Sequence, residues 1–473
     1  MRKWIPLAAV CTGAFMLLVD VSIVNVALPE MASDLRSSFT TLQWVVDIYA
    51  LVLASLLMAF GSLGDRLGHR RLYLSGLVVF ASASLACALA PSAAVLITAR
   101  AAQGMGGAAM MTSTTALLAA AYQGRDRGTA FGVWGAVNGA AAAIGPVLGG
   151  LLTDQFGWRS IFMVNVPVAV VAVAMTLGYL KAGARRDAGA GAGRLDLAGA
   201  LAFTLFASAL TYGLIESGDK GWGSTTVLVA LGGSVLAMTA FVGIELRAER
   251  PLVDLSLLRN RSFLGLLLGG LLLSAAAFAE LTYTSLWLQQ ALHLSPLGAG
   301  LAVSPMALAA FVVALATGKA LHRSSPQLPI GIGLLLIGGG TLLLAVVSAG
   351  SGWTALLPGL LITGVGVGLS TPMLMSAALA SVPPQRAGMA SGALNTARQL
   401  GYALGIAVLG TIFQGHFRGH TPRTAFAAGL DPVFLTAGAA GLAAGLLVLA
   451  LVRRTPPPTT PQSNPTPEPA RAR

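Results

Sequence analysis

The chain has 473 residues, of which 55% are hydrophobic and 10% charged, with a formal net charge of +12. A soluble globular protein carries about 25% charged residues, so these charges are too few to cover a water-facing surface of this size. The basic residues lie in short clusters between apolar stretches, not in an aromatic-rich basic patch, which argues against nucleic-acid binding. The composition therefore predicts a protein whose solvent is the lipid bilayer.

Stretches of about 20 mostly apolar residues, the length that crosses a bilayer, recur along the whole chain. The first follows Arg2 and Lys3 but has no small-residue cleavage site, so we expect an uncleaved membrane helix and not a signal peptide. Fourteen spans are predicted, at 6–28, 43–63, 72–90, 93–121, 129–153, 160–180, 197–216, 225–246, 263–288, 297–320, 328–349, 353–378, 388–413 and 430–452.

The basic residues predict the orientation of these spans. Alternate connections are rich in arginine and lysine, as at 66–71, 125–127, 181–194, 247–261 and 453–454, whereas the others hold few. Because positive charge favours the cytoplasmic side, fourteen spans place both termini in the cytoplasm. We expect a multi-pass protein of the bacterial cytoplasmic (inner) membrane.

An internal repeat divides the chain. Glycines at 104, 106, 128, 145 and 150 recur at a constant offset of 260 residues, as 364, 366, 388, 405 and 410. Parallel repeats of this kind are typical of transporters with a substrate site between two halves. The predicted domains are a six-helix bundle (1–180), a linker with two helices (181–262), a second six-helix bundle (263–452) and a disordered cytoplasmic tail (453–473).

The connection between spans 2 and 3 combines a predicted glycine turn with charges of both signs. At the least it anchors the topology, because arginines favour the cytoplasmic surface. The residues concerned are Gly61, Asp65, Arg66, Gly68 and Arg70.

Span 5 carries glycines on both sides of a proline, namely Gly145, Pro146, Gly149 and Gly150. Glycines let two helix backbones approach closely, and a proline removes one helix hydrogen bond and favours a kink. From the residues alone, ordinary packing of small side chains and a hinge explain this pattern equally well.

These stretches together resemble signatures of the major facilitator superfamily: the 61–71 connection its loop 2–3 signature, 100–107 its span 4 signature and 135–150 its antiporter signature. The stretches 20–29, 43–49 and 158–167 are similar to its fourteen-helix drug:proton antiporter branch. The resemblance covers Asp20 to about Phe413. It implies an all-α fold of two six-helix bundles plus two inserted helices, in which the 61–71 connection is a conformational latch and the span 5 glycines are the antiporter hinge.

Ionisable residues at membrane depth are the sharpest functional signal, because each costs a few kcal/mol at the bilayer centre. Asp20 lies about 13 Å from the outer end of its span, and Arg100 and Glu280 lie about 12 Å inside theirs. Asp47 is predicted closer to the surface, about 7 Å inside. These four residues are the candidates for proton coupling and substrate binding.

More than one interpretation stays open for each candidate. Asp20 and Arg100 form either a structural ion pair or a pair whose separation loads and releases a proton. Glu280 and Asp47 either carry protons, meet a cationic substrate or are simply exposed in an aqueous cavity. Tyr283 and Trp287, near Glu280, are candidate cavity aromatics.

Arg398 in span 13 is a weaker candidate. It has Asn395 and Gln399 as near neighbours in the sequence. A polar contact between helices is the simpler explanation for these residues.

The function predicted from these features is proton-coupled antiport that exports small lipophilic drugs or antibiotics by alternating access. The expected partners are a small-molecule substrate, protons and the bilayer, with the chain a monomer. We expect no enzyme activity, no metal and no cofactor beyond the proton gradient. The alternatives are a proton-coupled importer of an organic acid or other nutrient and a non-transporting membrane receptor.

Overall fold

The computed structural model describes residues 2–122, 124–180, 196–248, 251–252, 255–317, 325–348, 350–382, 387–417 and 422–452. These residues form helices and connections, with no β-strand among them, which confirms the predicted all-α fold. Fourteen long helices follow the fourteen predicted spans: α1 Ile5–Leu35, α2 Phe39–Leu67, α3 His69–Ala88, α4 Ala93–Ala121, α5 Gly124–Phe156, α6 Ser160–Tyr179, α7 Leu197–Lys220, α8 Thr225–Glu245, α9 Arg261–Ala291, α10 Pro296–Thr317, α11 Gln327–Leu344, α12 Leu357–Ala380, α13 Ala387–Phe417 and α14 Pro422–Leu451.

Length and composition suit these helices to a bilayer. Ten of them are apolar enough and long enough to cross a membrane by those two criteria alone. The other four, α2, α4, α5 and α13, have 29, 29, 33 and 31 residues. At 1.5 Å per residue each exceeds the roughly 30 Å hydrocarbon core, so these four helices are also long enough to cross a bilayer.

Short polar side chains fix where several helices begin, because they accept hydrogen bonds from otherwise unpaired backbone N–H groups. Ser38 accepts from Thr41 N and Ser92 from Val95 N. Capping by Ser38 starts α2 at Phe39, four residues earlier than the predicted span, so Asp47 lies about 12 Å inside the helix. Asp47 therefore lies farther from the start of its helix than predicted.

Hydrogen bonds between helix ends define two faces. On the face that carries residues 2–4, Tyr122 Oη donates to Lys3 O at 3.0 Å, and Arg70 Nη2 donates to Leu177 O at 3.1 Å. We call this the proximal face. On the opposite, distal face, Arg159 at the start of α6 pairs with Asp34 at the end of α1, at 2.5 Å.

Packing follows the internal repeat. Gly104 of α4 lies against Tyr49 of α2, and Gly106 lies against α3. In the second half, Gly364 of α12 lies against Met306 of α10, and Gly366 lies against α11. The repeated glycines thus make equivalent helix crossings, in which the absence of a side chain lets the backbones approach.

Helices α7 and α8 form a hairpin beside the two repeats. Phe203 of α7 packs in one cluster with Leu51 of α2, Phe241 of α8 and Leu400 of α13. Thr411 of α13 donates a hydrogen bond to a backbone carbonyl of α7, Leu214 O, at 2.8 Å. The hairpin therefore covers the line along which α2 and α13 meet.

Candidate functional site

The ion pair between Asp20 and Arg100 forms in the buried centre of the first six helices. Arg100 Nη1 lies 2.7 Å from Asp20 Oδ2, with both side chains at most 1% exposed. Gln103 Nε2 and Asn165 Nδ2 donate to Asp20 Oδ1, at 2.7 and 2.8 Å. Both amides also donate to Ser84 Oγ. Each oxygen of the Asp20 carboxylate thus has at least one donor.

Two of the three guanidinium nitrogens of Arg100 donate hydrogen bonds within this network. Its Nε donates to Val45 O at 3.1 Å, and its Nη1 also donates to Gln103 Oε1 at 2.7 Å. The ring of Tyr49 lies 4.3 Å from its Cζ, a cation–π contact. Arg100 is therefore 1% exposed and held by its own bundle in this conformer.

Asp47 on α2 has the opposite surroundings. It is fully buried, and neither of its carboxylate oxygens has a hydrogen-bond partner among the described residues. A lone ionised carboxylate in such a place costs several kcal/mol, so this conformer suits the protonated acid.

Glu280 lies at an interruption of α9. Helix Arg261–Ala277 ends, Phe278 N and Ala279 N both point to Ser274 O, and Glu280–Leu286 begins a new helical segment. Glu280 is fully buried. Its Oε2 accepts a hydrogen bond from Thr284 Oγ1 at 2.6 Å, whereas its Oε1 has no partner in the described part of the chain. Interrupted membrane helices frequently carry transporter binding sites.

On the distal side of Asp47, hydrogen bonds among polar side chains and one backbone carbonyl join the two halves. Tyr283 Oη donates to Ile406 O and accepts from Gln43 Nε2 at 3.3 Å. Gln414 Nε2 donates to Gln43 Oε1 at 3.5 Å. We call Gln43, Tyr283, Ile406 and Gln414 the distal lock, because it lies on the distal side of Asp47, one helical turn from it along α2.

Further contacts join the halves at the same level. Asn25 of α1 donates to Tyr402 Oη at 3.4 Å and accepts from Thr282 Oγ1 at 3.3 Å. Gln289 Nε2 donates to Val26 O at 2.7 Å. These contacts lie between mid-depth and the distal face, so the structure is a distal-closed conformer.

The two candidate cavity aromatics are both buried in this conformer. Tyr283 is part of the distal lock, and Trp287, 1% exposed, packs in the hydrophobic core. Neither ring forms an open cavity wall while the distal side is closed.

Helix α5 makes the other contact between the halves, through Gly150 and Pro146, whereas its other described glycines pack within the first half. Gly145 lies against Ser22 and Gly149 against Ile23, both on α1. Gly150 lies against α10, where an added Cβ would approach Leu297 Cα to 2.5 Å. The helix continues through Pro146, whose carbonyl lies against Gly300 of α10.

We expect Gly300→Val to prevent distal closure, because any Cβ at this position overlaps the Pro146 carbonyl. The population of the distal-closed conformer should fall about tenfold or more, because overpacking of a close helix contact costs about 1–3 kcal/mol. A cysteine introduced by Thr282→Cys, in a protein without its native cysteines, is the reporter. It should react faster with a maleimide when Gly300→Val is present than when it is absent, because Thr282 is buried in the distal-closed conformer. Gly298→Val is the matched control, since a Cβ there meets its nearest atoms at 3.5 Å. Unchanged maleimide reactivity in Gly300→Val would contradict the expectation.

The predicted latch is only partly a turn. Residues 61–67 continue helix α2, and the chain turns at Gly68, whose φ of 89° favours glycine. An added Cβ at Gly61 would meet nothing within 4 Å. Arg70 reaches the end of α6, as described above. Asp65 and Arg66 belong to α2, but their side chains lie outside the described ones.

Several site residues were not singled out by sequence reasoning. Gln103, Asn165 and Ser84 complete the Asp20 network, and Gln43 and Tyr402 join the two halves. Buried neutral polar residues at membrane depth are the available signal, because hydrocarbon leaves them no alternative hydrogen-bond partner. That signal does not tell which residues meet, since they are far apart in the sequence.

The same helical architecture occurs in known transporters, and the family profile of the Major Facilitator Superfamily matches residues 10–406. The chain therefore belongs to the major facilitator superfamily. Among similar proteins, Multidrug resistance protein Stp of Mycobacterium tuberculosis is 37% identical over 411 residues, covering 86% of this chain and 75% of that protein. Multidrug efflux pump LfrA of Mycolicibacterium smegmatis is 34% identical over 433 residues, covering 91% and 84%.

A solved structure agrees on the fold. A crystal structure of the peptide transporter POT in complex with sulfate matches with a TM-score of 0.66 at 17% identity, covering 94% of each chain. At that identity the likeness concerns the fold alone. The predicted superfamily and its drug-efflux branch are confirmed by these likenesses.

Proposed function

We propose that this chain is a proton-driven antiporter that exports small lipophilic drugs or antibiotics across the bacterial cytoplasmic membrane. Resistance and efflux proteins among its relatives support drug export. Residues 1–180 and 263–452 form the two bundles that alternate, with α7 and α8 between them, and both termini are cytoplasmic. The distal face is then the outer face, and the chain acts as a monomer without a cofactor.

The observation that carries the proton-coupling proposal is the contrast between three buried carboxylates. Asp20 has a complete set of partners, whereas Asp47 and Glu280 have unpartnered oxygens at the junction of the halves. A carboxylate that is neutral when buried and charged when hydrated takes up or releases a proton as the junction opens. Asp47 and Glu280 are therefore the proposed proton carriers, and the Asp20–Arg100 pair holds the first bundle together.

The coupling follows from differential affinity. Protonation of Asp47 and Glu280 favours the distal-closed conformer, because the charged acids would be desolvated there. Protons are taken up from outside and released to the cytoplasm, so a substrate that enters from the proximal side must bind more tightly when Asp47 and Glu280 have lost their protons. Substrate and proton then oppose each other only through their different affinities for the two states.

The test uses inverted membrane vesicles with an acidic interior, to which ethidium is added while a pH-sensitive fluorophore reports proton release. Release that depends on ethidium and on the protein supports antiport. Ethidium accumulation that persists unchanged when the proton gradient is collapsed would overturn proton coupling. Vesicles without the protein are the control.

A further inference from the structure

Three polar side chains on α13 lie at membrane depth without a partner. Asn395, Arg398 and Gln399 are each partly exposed, and none hydrogen bonds or ion-pairs with the residues that the structure describes. Even the Nε of Arg398, which is buried, has no acceptor. An unpaired guanidinium at this depth is costly in hydrocarbon, so it belongs where water or a ligand reaches it.

The packing of α13 shows which way this group points. Gly401 lies against Leu271 of α9, and Thr396 donates to Ala54 O of α2. Tyr402, one turn beyond Arg398, meets Asn25 of α1. Asn395, Arg398 and Gln399 therefore lie on the face of α13 that is turned toward α9, α1 and α2. This face is directed to the interior between the two halves. The three residues lie on the proximal side of Tyr402.

Arg100 and Arg398 differ in what they leave available. The Nε and Nη1 atoms of Arg100 donate to acceptors of its own bundle. Arg398 keeps its five donors. A guanidinium binds a carboxylate through two parallel hydrogen bonds, which a point charge does not reproduce.

We propose that Arg398, flanked by Asn395 and Gln399, binds an acidic group of the exported compound, a carboxylate or an ionised phenol. This inference rests on the proposed export function and names part of its substrate range. The acid lies proximal to Asp47 and Glu280, about 6 Å of helix rise below Tyr402. The two amides donate to the oxygens that the guanidinium leaves free.

Rhodamine 110 and its methyl ester, rhodamine 123, provide a matched pair of probes, since they share one ring system and differ in a free carboxylate. In vesicles of the parent protein we expect both dyes to be transported. Arg398→Gln should lower rhodamine 110 transport about tenfold or more, the worth of a charge-assisted pair, with rhodamine 123 changed less than about twofold. Arg398→Lys should retain part of the rhodamine 110 transport.

Arg100→Gln is the contrasting variant and should reduce both dyes together, because it disturbs the bundle. Equal loss of both dyes in Arg398→Gln, or loss of neither, would overturn the proposal, as would a parent that moves rhodamine 123 but not rhodamine 110. Fluorescence polarisation on the purified protein measures binding of rhodamine 110 separately from its transport. Binding of rhodamine 110 that depends on Arg398 but is never followed by transport would sink the export function and leave the recognition site standing.

Discussion

Replacing Arg100 by glutamine is expected to lower the free energy of unfolding by about 3–5 kcal/mol. The substitution leaves the Asp20 carboxylate buried among neutral amides, with its cation removed. A buried charge without its partner is far more costly than the pair, because desolvation of the remaining ion is no longer offset. Chemical unfolding in detergent micelles, followed by tryptophan fluorescence, measures the loss.

The chain offers a matched control in a second ion pair. Arg159 and Asp34 are also in contact, at 2.5 Å, but their side chains are 42% and 45% exposed. Arg159→Gln should therefore cost less than about 1 kcal/mol. The double variant Asp20→Asn with Arg100→Gln should recover part of the loss, since no charge is left buried. Similar losses in Arg100→Gln and Arg159→Gln would show that the Asp20 network is not structural.

Asp47→Asn and Glu280→Gln are expected to lower substrate-dependent proton release about 100-fold, the scale of losing a proton-transferring group, with little loss of stability. Each amide has nearly the shape of the protonated acid that suits the distal-closed conformer, but it cannot release a proton. The proton fluorophore assay in inverted vesicles measures the coupling, and ethidium binding to the purified protein should persist.

Asp154→Asn, an exposed carboxylate near the distal end of α5, is the control and should leave the coupling unchanged. If only one of the two buried variants loses coupling, that residue is the carrier. Full coupling in both Asp47→Asn and Glu280→Gln would point to Asp20 as the proton carrier, although its carboxylate has hydrogen-bond donors on both oxygens.

The course of the helices could be predicted from the sequence because hydrocarbon imposes one simple rule, a run of apolar residues long enough to cross it. The pairing of Asp20 with Arg100 was also foreseeable, since two buried opposite charges at similar depth in one bundle have strong reason to meet. The depth of Asp47 was not, because it depended on where α2 begins. Ser38, a single capping serine, moved that start by a turn.

Which charges stay unpaired could not be predicted either. Arg398 has two polar neighbours in the sequence that look like partners, yet Asn395 and Gln399 share its face, and no residue that the structure describes pairs with it. Glu280 has no acidic or basic neighbour, yet Thr284, one turn away, binds one of its oxygens. Whether a polar group finds a hydrogen-bond partner depends on where side chains from neighbouring helices point. The spacing of residues along the sequence does not contain that information.

The hairpin of α7 and α8 makes the two sides of the transporter unequal for a molecule dissolved in the bilayer. Along α2 and α13 the hairpin stands between the lipid and the junction, with Phe203 filling the space. Along α5 and α10, no further helix of the described chain stands outside the contact of Gly150 with Leu297. For a lipophilic compound that arrives through the membrane, the shorter way to the junction of the halves is therefore on the α5 side.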